Sequence, residues 1–186
     1  MAEVFRCTGM RSRSAIYVSA PITTGSRYIA WMNEGGDPSD YRRRVVEANI
    51  REAEATVQNS RSHFGAPLID PTALPDVDGW TQPDYHAFWT HVVEEFVSTI
   101  VFVDGWEYST GAVLELACGL QNRIGLLSST YQELDPAAIE KKGREAITRV
   151  SSFSDFESLK AAWSSAFIAL GSSSAHQQHP SRNYLQ

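Results

Sequence analysis

Residues Val101–Leu120 read VFVDGWEYSTGAVLELACGL. An apolar β-branched run, Ile100 to Val103, halts at Asp104-Gly105, and a short polar turn, WEYSTG, follows. The chain then resumes in helical rhythm with one carboxylate, Glu115, inside an otherwise apolar turn. This is strand, loop, helix, with polar groups gathered just past the strand's carboxyl end, where open α/β sheets bind their ligands. The segment is expected to hold the catalytic centre, with Glu115 doing the chemistry. Gly111 and Glu115 are four apart and share a helix face, and Gly111 leaves open space above the carboxylate. A carboxylate between Leu114 and Leu116 is unusual unless paired or used. The competing reading is a structural acid, bonded to loop amides or to a tyrosine.

Working outward, Ala15 to Ala20 (AIYVSA) is a short apolar run stopped by Pro21, a buried first strand. The PITTGS that follows suits a loop whose amides turn toward a ligand. Tyr28 to Gly36 has no clean period and reads as a lid or an oligomer contact. Asp37 as N-cap and Pro38 in the first turn open an amphipathic helix over Tyr41 to Asn59. Arg42, Arg43 and Arg44 form its solvated face, with a phosphate contact by one of them as the alternative. Ala66 to Asp70 is a second strand, and PTALPDVDGWTQP after it is a polar rim. A helix over Tyr85 to Thr99 leads into the strand Ile100 to Val103. Next come a helix over Thr110 to Asn122, a strand over Arg123 to Leu127, and a helix over Ala137 to Thr148. The last helix runs from Asp155 to Leu170, capped by Gly171.

Strands alternating with helices predict a single α/β domain over residues 14–170. Its expected architecture is a doubly wound, flavodoxin- or Rossmann-like parallel sheet of four to five strands. Residues 1–13 are expected to be a flexible arm and residues 171–186 a disordered tail, which makes His176 and His179 poor metal ligands. With 186 residues the chain is long enough for one real core. The formal charge of −6 opposes a nucleic-acid surface, which is usually basic, yet leaves room for a small anion at a helix N-terminus. Two cysteines, Cys7 and Cys118, read as free thiols. No apolar run approaches membrane-spanning length and the leader lacks a secretory h-region, so a cytoplasmic protein is expected, with a short organelle-targeting leader as the minor alternative. GxGxxG, GxxxxGK[ST], zinc spacings and GxSxG are all absent, so neither cofactor nor metal is expected.

The loop before Glu115 brings Trp106 and Tyr108 as flat surfaces and Ser109 and Thr110 as hydroxyls near a helix start. An aromatic plate, an anion cradle and a carboxylate together suit a nucleotide. Here the chain resembles the nucleoside 2-deoxyribosyltransferase superfamily, which includes transferases and nucleoside 5′-monophosphate N-glycosidases. The resemblance rests on IYVSAP early, a helix running into a β-branched strand, and then S-x-G-x-x-x-E. It covers Ala15 to Leu127.

The resemblance implies that Glu115 attacks or electrostatically supports the anomeric carbon and that Tyr17 holds it. Ser19, Pro21, Ile22 and Thr23, together with Trp106, Ser109, Thr110 and Gly111, would surround the substrate. The position six before the glutamate is an aspartate in the transferases and a serine in the monophosphate hydrolases; here it is Ser109, which favours a 5′-phosphate. Two departures stand out. His91 occupies the position of an aspartate that acts on the leaving base, with Asp84 as a rival acid, and the arginine that the glycosidases carry near Thr23 is missing. The expected activity is release of the base from a nucleoside 5′-monophosphate. The alternatives are a deoxyribosyltransferase, an NAD glycohydrolase and a non-catalytic nucleotide-binding protein. The resemblance also implies a homo-oligomer acting on a small nucleotide or nucleoside, while the charge and the lack of a long apolar run lead to no nucleic acid or membrane partner being expected.

Overall fold

Four parallel strands in the order β2-β1-β3-β4 form the sheet of the computed structural model, which describes residues 5, 7 and 9–177. The strands are β1 Ala15–Ser19, β2 Leu68–Ile69, β3 Val97–Phe102 and β4 Gly125–Ser128. Between β1 and β2 lie α1 Ser26–Asn33, α2 Pro38–Tyr41, a π turn over Arg42–Val46, and α3 Glu47–His63. Helix α4 Gln82–Phe96 precedes β3, α5 Thr110–Asn122 joins β3 to β4, and α6 Pro136–Val150 and α7 Glu157–Gln177 close the chain. The fold is thus a single α/β domain with helices flanking an all-parallel sheet.

Strand periodicity sorts the core. Ala15, Tyr17, Ile100 and Phe102 point to one face, where they join Val93 and Phe96 of α4, Val113 and Leu116 of α5, and Trp163 of α7. Val18 and Val103 point to the other face and meet Val57 of α3. Glycines let the first of these layers close up. A Cβ on Gly119 would stand 2.7 Å from Leu126 Cδ2 and 3.2 Å from Ile100 Cδ1, so α5 lies close on the sheet.

Several boundaries differ from the periodic reading. Helix α4 ends at Phe96, and β3 begins at Val97 with no loop between. Val97 and Thr99 pair with Ala15 and Ile16, and this β ladder outweighs the helical spacing of the run. The ambiguous Tyr28 to Gly36 stretch contributes most of α1. Gly171 does not stop the last helix, which continues to Gln177. Where the leader is described it is tied down: the Phe5 and Phe96 ring centroids lie 5.6 Å apart, Ser12 Oγ donates to the Glu95 carbonyl, and Arg13 donates to the Asn122 carbonyl at 2.7 Å. Residues 178–186, His179 among them, lie outside the described residues. No helix among the described residues is long and apolar enough to cross a membrane.

The strand order has one consequence for function. The chain leaves β1 toward β2 and leaves β3 toward β4, so the connections part in opposite directions at the β1–β3 pair. That switch point is where a doubly wound sheet holds its ligand. The loops after β1 and β3 meet there. Gly105 has φ +84°, and a Cβ on it would lie 2.7 Å from Ser26 Oγ. Gly25 has φ +87° and faces the Gly105 carbonyl. Gly105→Ala therefore combines left-handed backbone strain with a clash. It is expected to cost at least about 1–2 kcal/mol in a urea melt; an unchanged midpoint would show that the two loops are not fixed against each other.

Candidate active site

Glu115 sits at the switch point. Ser109 caps α5, its Oγ accepting from Ala112 N at 3.4 Å, and fixes where the helix starts. One and a half turns later Glu115 faces the carboxyl end of β1. Tyr17 Oη donates to Glu115 Oε1 at 2.5 Å and Ser19 Oγ donates to Oε2 at 2.6 Å. Tyr17 and Ser19 are two apart on one strand and so present both hydroxyls to the same side. The tyrosine partner is the one that the structural-acid reading also expects. Glu115 is 8 % exposed, and no lysine or arginine pairs with it among the described residues.

Burial without a counter-ion raises the Glu115 carboxyl from its ordinary value to about 7, and the Ser19 and Tyr17 hydrogen bonds offset only part of that rise. Burial, and then the neighbouring Glu115 charge, push the Tyr17 phenol well above its ordinary value. Tyr17 therefore remains a proton donor to the carboxylate. Each carboxylate oxygen accepts one hydrogen bond from the protein and keeps a lone pair for something else.

The loop after β1 is held from behind. Asn49 Nδ2 donates to the carbonyls of Ile22 at 3.0 Å and Thr24 at 2.8 Å, and Tyr41 Oη donates to the Thr23 carbonyl at 2.6 Å. Asn49 is itself gripped by Arg27, which also pairs with Glu52. With its carbonyls drawn toward α2 and α3, the loop is fixed in place beside the carboxylate. The π turn at Arg42–Val46 sits between Tyr41 and Asn49 and sets the phase between them. Neither role was read from the sequence. The signal was there in Asn49, a polar side chain at an inward position of an otherwise apolar stripe.

Beside the loop lies a cavity of about 420 Å³. Tyr28, Trp31, Tyr41, Tyr108 and Phe156 give it aromatic walls, and Thr23, Thr24 and Thr110 supply hydroxyls. No lysine or arginine lines it. Thr110 belongs to both the cavity wall and the first turn of α5, and Gly111 follows it.

The structure distributes the other expected residues as follows. Pro21 packs under Gly25, and Ile22 acts through its carbonyl. Trp106 is 3 % exposed, with Phe102 and Trp163 against its ring at 5.0 and 5.7 Å, so it belongs to the core rather than serving as an open plate; Tyr108 lines the cavity instead. Asp84 closes a capping box, accepting from Thr81 N at 2.8 Å and Thr81 Oγ1 at 2.5 Å. Those bonds hold its carboxyl below the ordinary range, which ill suits a proton donor near neutrality. His91 is exposed, and its Nε2 lies 3.3 Å from Glu95, away from the carboxylate. The histidine that faces the first turn of α5 is His86: a Cβ on Gly111 would stand 3.5 Å from its Nε2. Arg42, Arg43 and Arg44 of the π turn do not line the cavity, and Arg44 pairs with Glu34 and Asp40. Cys118 is buried and free, its thiol pushed up to about 11 by burial first.

The raised Glu115 value has a testable stability signature. A carboxyl near 4.5 unfolded and about 7 folded favours the native state fully below pH 4.5 and loses that contribution as pH rises through 7. Glu115→Gln keeps the shape and removes the charge. The variant is expected to match wild type near pH 4 and to exceed it above pH 8 by up to about 3 kcal/mol, as read from denaturant melts. Equal stability across that range would show the carboxylate to be neither buried nor uncompensated. Comparison of the chain with protein-family models, curated proteins and solved structures finds no match.

Proposed function

We propose that the protein cleaves the N-glycosidic bond of a nucleoside 5′-monophosphate, with Glu115 acting at the anomeric carbon. The observation that carries this reading is a carboxylate buried at the switch point with two hydroxyl donors and no cation. Breaking a C1′–N bond builds oxocarbenium character on the sugar. That developing positive charge is the counter-ion that the site lacks, so its interaction with Glu115 is stronger in the transition state than in the ground state. The carboxylate then stabilises the cation or bonds to C1′, and water releases the sugar, as in retaining glycosidases.

The rest of the site fits a nucleotide. Gly111 opens the face above the carboxylate, and among the described residues outside its own helix turn a Cβ there would meet His86 alone. The adjoining cavity has hydroxyls beside a helix start, which suit a phosphate, and aromatic walls, which suit the apolar face of the sugar. The resemblance to the nucleoside 2-deoxyribosyltransferase superfamily, with Tyr17, Ser109 and Glu115 at its functional positions, points the same way. A second reading is favoured by one observation: the cavity carries no cationic side chain. That suits an uncharged nucleoside, and with it sugar transfer between bases.

Nucleosides and their 5′-monophosphates, incubated with and without a second base and followed by chromatography, separate these readings. Free base from the monophosphates supports hydrolysis, and a new nucleoside supports transfer. Glu115→Gln is expected to lose at least ~10²-fold in either activity, and near-normal turnover would remove Glu115 from the mechanism. Gly111→Ala meets only His86, at an ordinary contact distance, and should fold with equal or greater stability. Its methyl fills the space over the carboxylate, so kcat/KM should fall at least ~10-fold. Unchanged kcat/KM would place the sugar elsewhere.

A further inference from the structure

We propose that His86 is the group that protonates the departing base. This rests on the glycosidic reading of Glu115 and adds the second half of the chemistry, which neither His91 nor Asp84 is placed to supply.

Three observations converge on it. On α4, His86 lies one turn before Trp89, whose ring meets Tyr17 edge-on at 5.9 Å, and two turns before the fully buried Val93. These positions share the inward face of the helix. His91 is five residues further on, about 140° around the axis, and so faces out. Next, among the described residues outside its own helix turn, Nε2 and Cδ2 of His86 are the atoms that a Cβ on Gly111 would meet, at 3.5 and 3.6 Å. Gly111 shares its face with Glu115, so the imidazole borders the space directly above the carboxylate. Third, the ring is half-buried and makes no hydrogen bond or ion pair with any described residue. His91 has Glu95 and Asp84 has Thr81, whereas His86 is left with its ring nitrogens uncommitted beside the site.

The helices explain the placement. The amino ends of α4 and α5 both stand at the carboxyl edge of the sheet, because α4 runs into β3 and α5 runs out of it. The first turn of one helix carries Gly111, and the second turn of the other carries His86. A sugar over Gly111 has Glu115 below it and the imidazole at its flank, where the base must leave.

The step balances as follows. The C1′–N bond breaks, its electron pair goes to the base, and the His86 imidazolium transfers a proton to the base. Glu115 bonds to C1′ or holds the cation. Water then adds its oxygen to C1′ and returns a proton to His86, freeing Glu115. The sum is nucleotide plus water giving sugar phosphate plus base. Burial lowers the His86 imidazole below its ordinary value, which makes its protonated form the stronger donor.

Leaving groups provide the test. A natural base needs the proton, whereas 4-nitrophenolate departs without one. Wild type, Glu115→Gln, His86→Asn and His86→Gln are assayed on the nucleoside 5′-monophosphates and on 4-nitrophenyl ribofuranoside and its 2-deoxy analogue, each with and without a 5-phosphate. Thermal melts confirm that every variant is folded. Both His86 variants should lose ~10²-fold or more on the nucleotides and change less than about threefold on the nitrophenyl sugars; Glu115→Gln should lose both. Equal losses on both substrate types, or no loss on either, overturn the role of His86 while Glu115 stands on its own variant. If wild type cleaves neither type, the glycosidic reading fails and the role of His86 fails with it.

Discussion

A carboxylate taken out of water without a cation beside it is the constraint around which this chain is arranged. Burial of Glu115 disfavours its charge, and two hydroxyls from one strand answer only part of the penalty. A domain selected for stability alone has a cheaper solution in a neutral or apolar side chain at that position. The surroundings are organised to keep the acid where it is. Gly119 brings its helix down onto the sheet, Ser109 fixes the helix start, and Tyr17 and Ser19 sit two residues apart on the central strand. Each sequence choice contributes to the same geometry.

The second layer of that geometry is the loop after β1. Such loops are commonly the mobile part of a doubly wound domain. Here its three successive carbonyls, Ile22 to Thr24, are bonded by side chains of α2 and α3, and the Arg27–Asn49–Glu52 cluster secures the key donor. Preorganisation of this kind places polar groups before a ligand arrives and reduces the ordering cost of binding. It also ties the helices on one face of the sheet to the loop beside Glu115.

Local patterns in the sequence were sufficient for the architecture and for the segment that carries Glu115. The strand–loop–helix at Val101–Leu120, the first strand, and the bounds Thr110 and Asn122 follow from β-branched runs, capping residues and period, which are properties of adjacent residues. The pairing of Glu115 with Tyr17 was implied by the family resemblance rather than by local pattern. What local pattern could not supply was rotation and reach. Whether His86 or His91 faces inward depends on the phase of α4, and that phase is set by its direct run into β3 rather than by the histidines. The core burial of Trp106 depends on Trp163, fifty-seven residues later. The bonds from Asn49 to the loop depend on the extra residue accommodated by a π turn, which no propensity scale anticipates. Such contacts form between segments distant in sequence, and only the folded chain determines them.

The junction at Phe96 and Val97, where a helix becomes a central strand with no residue between, bears on motion. Hinges require a few residues free to change φ and ψ. Here the last helical residue is 1 % exposed and the first strand residue is already paired with Ala15. Helix α4 is therefore anchored at its carboxyl end like a lever clamped in the sheet. Any opening that admits a ligand between α4 and α5 must come from the amino-terminal end, where the Thr81–Asp84 cap, the Val77 N bond to Tyr85 Oη and the packing of Trp80 on Tyr85 and Phe88 restrain the chain.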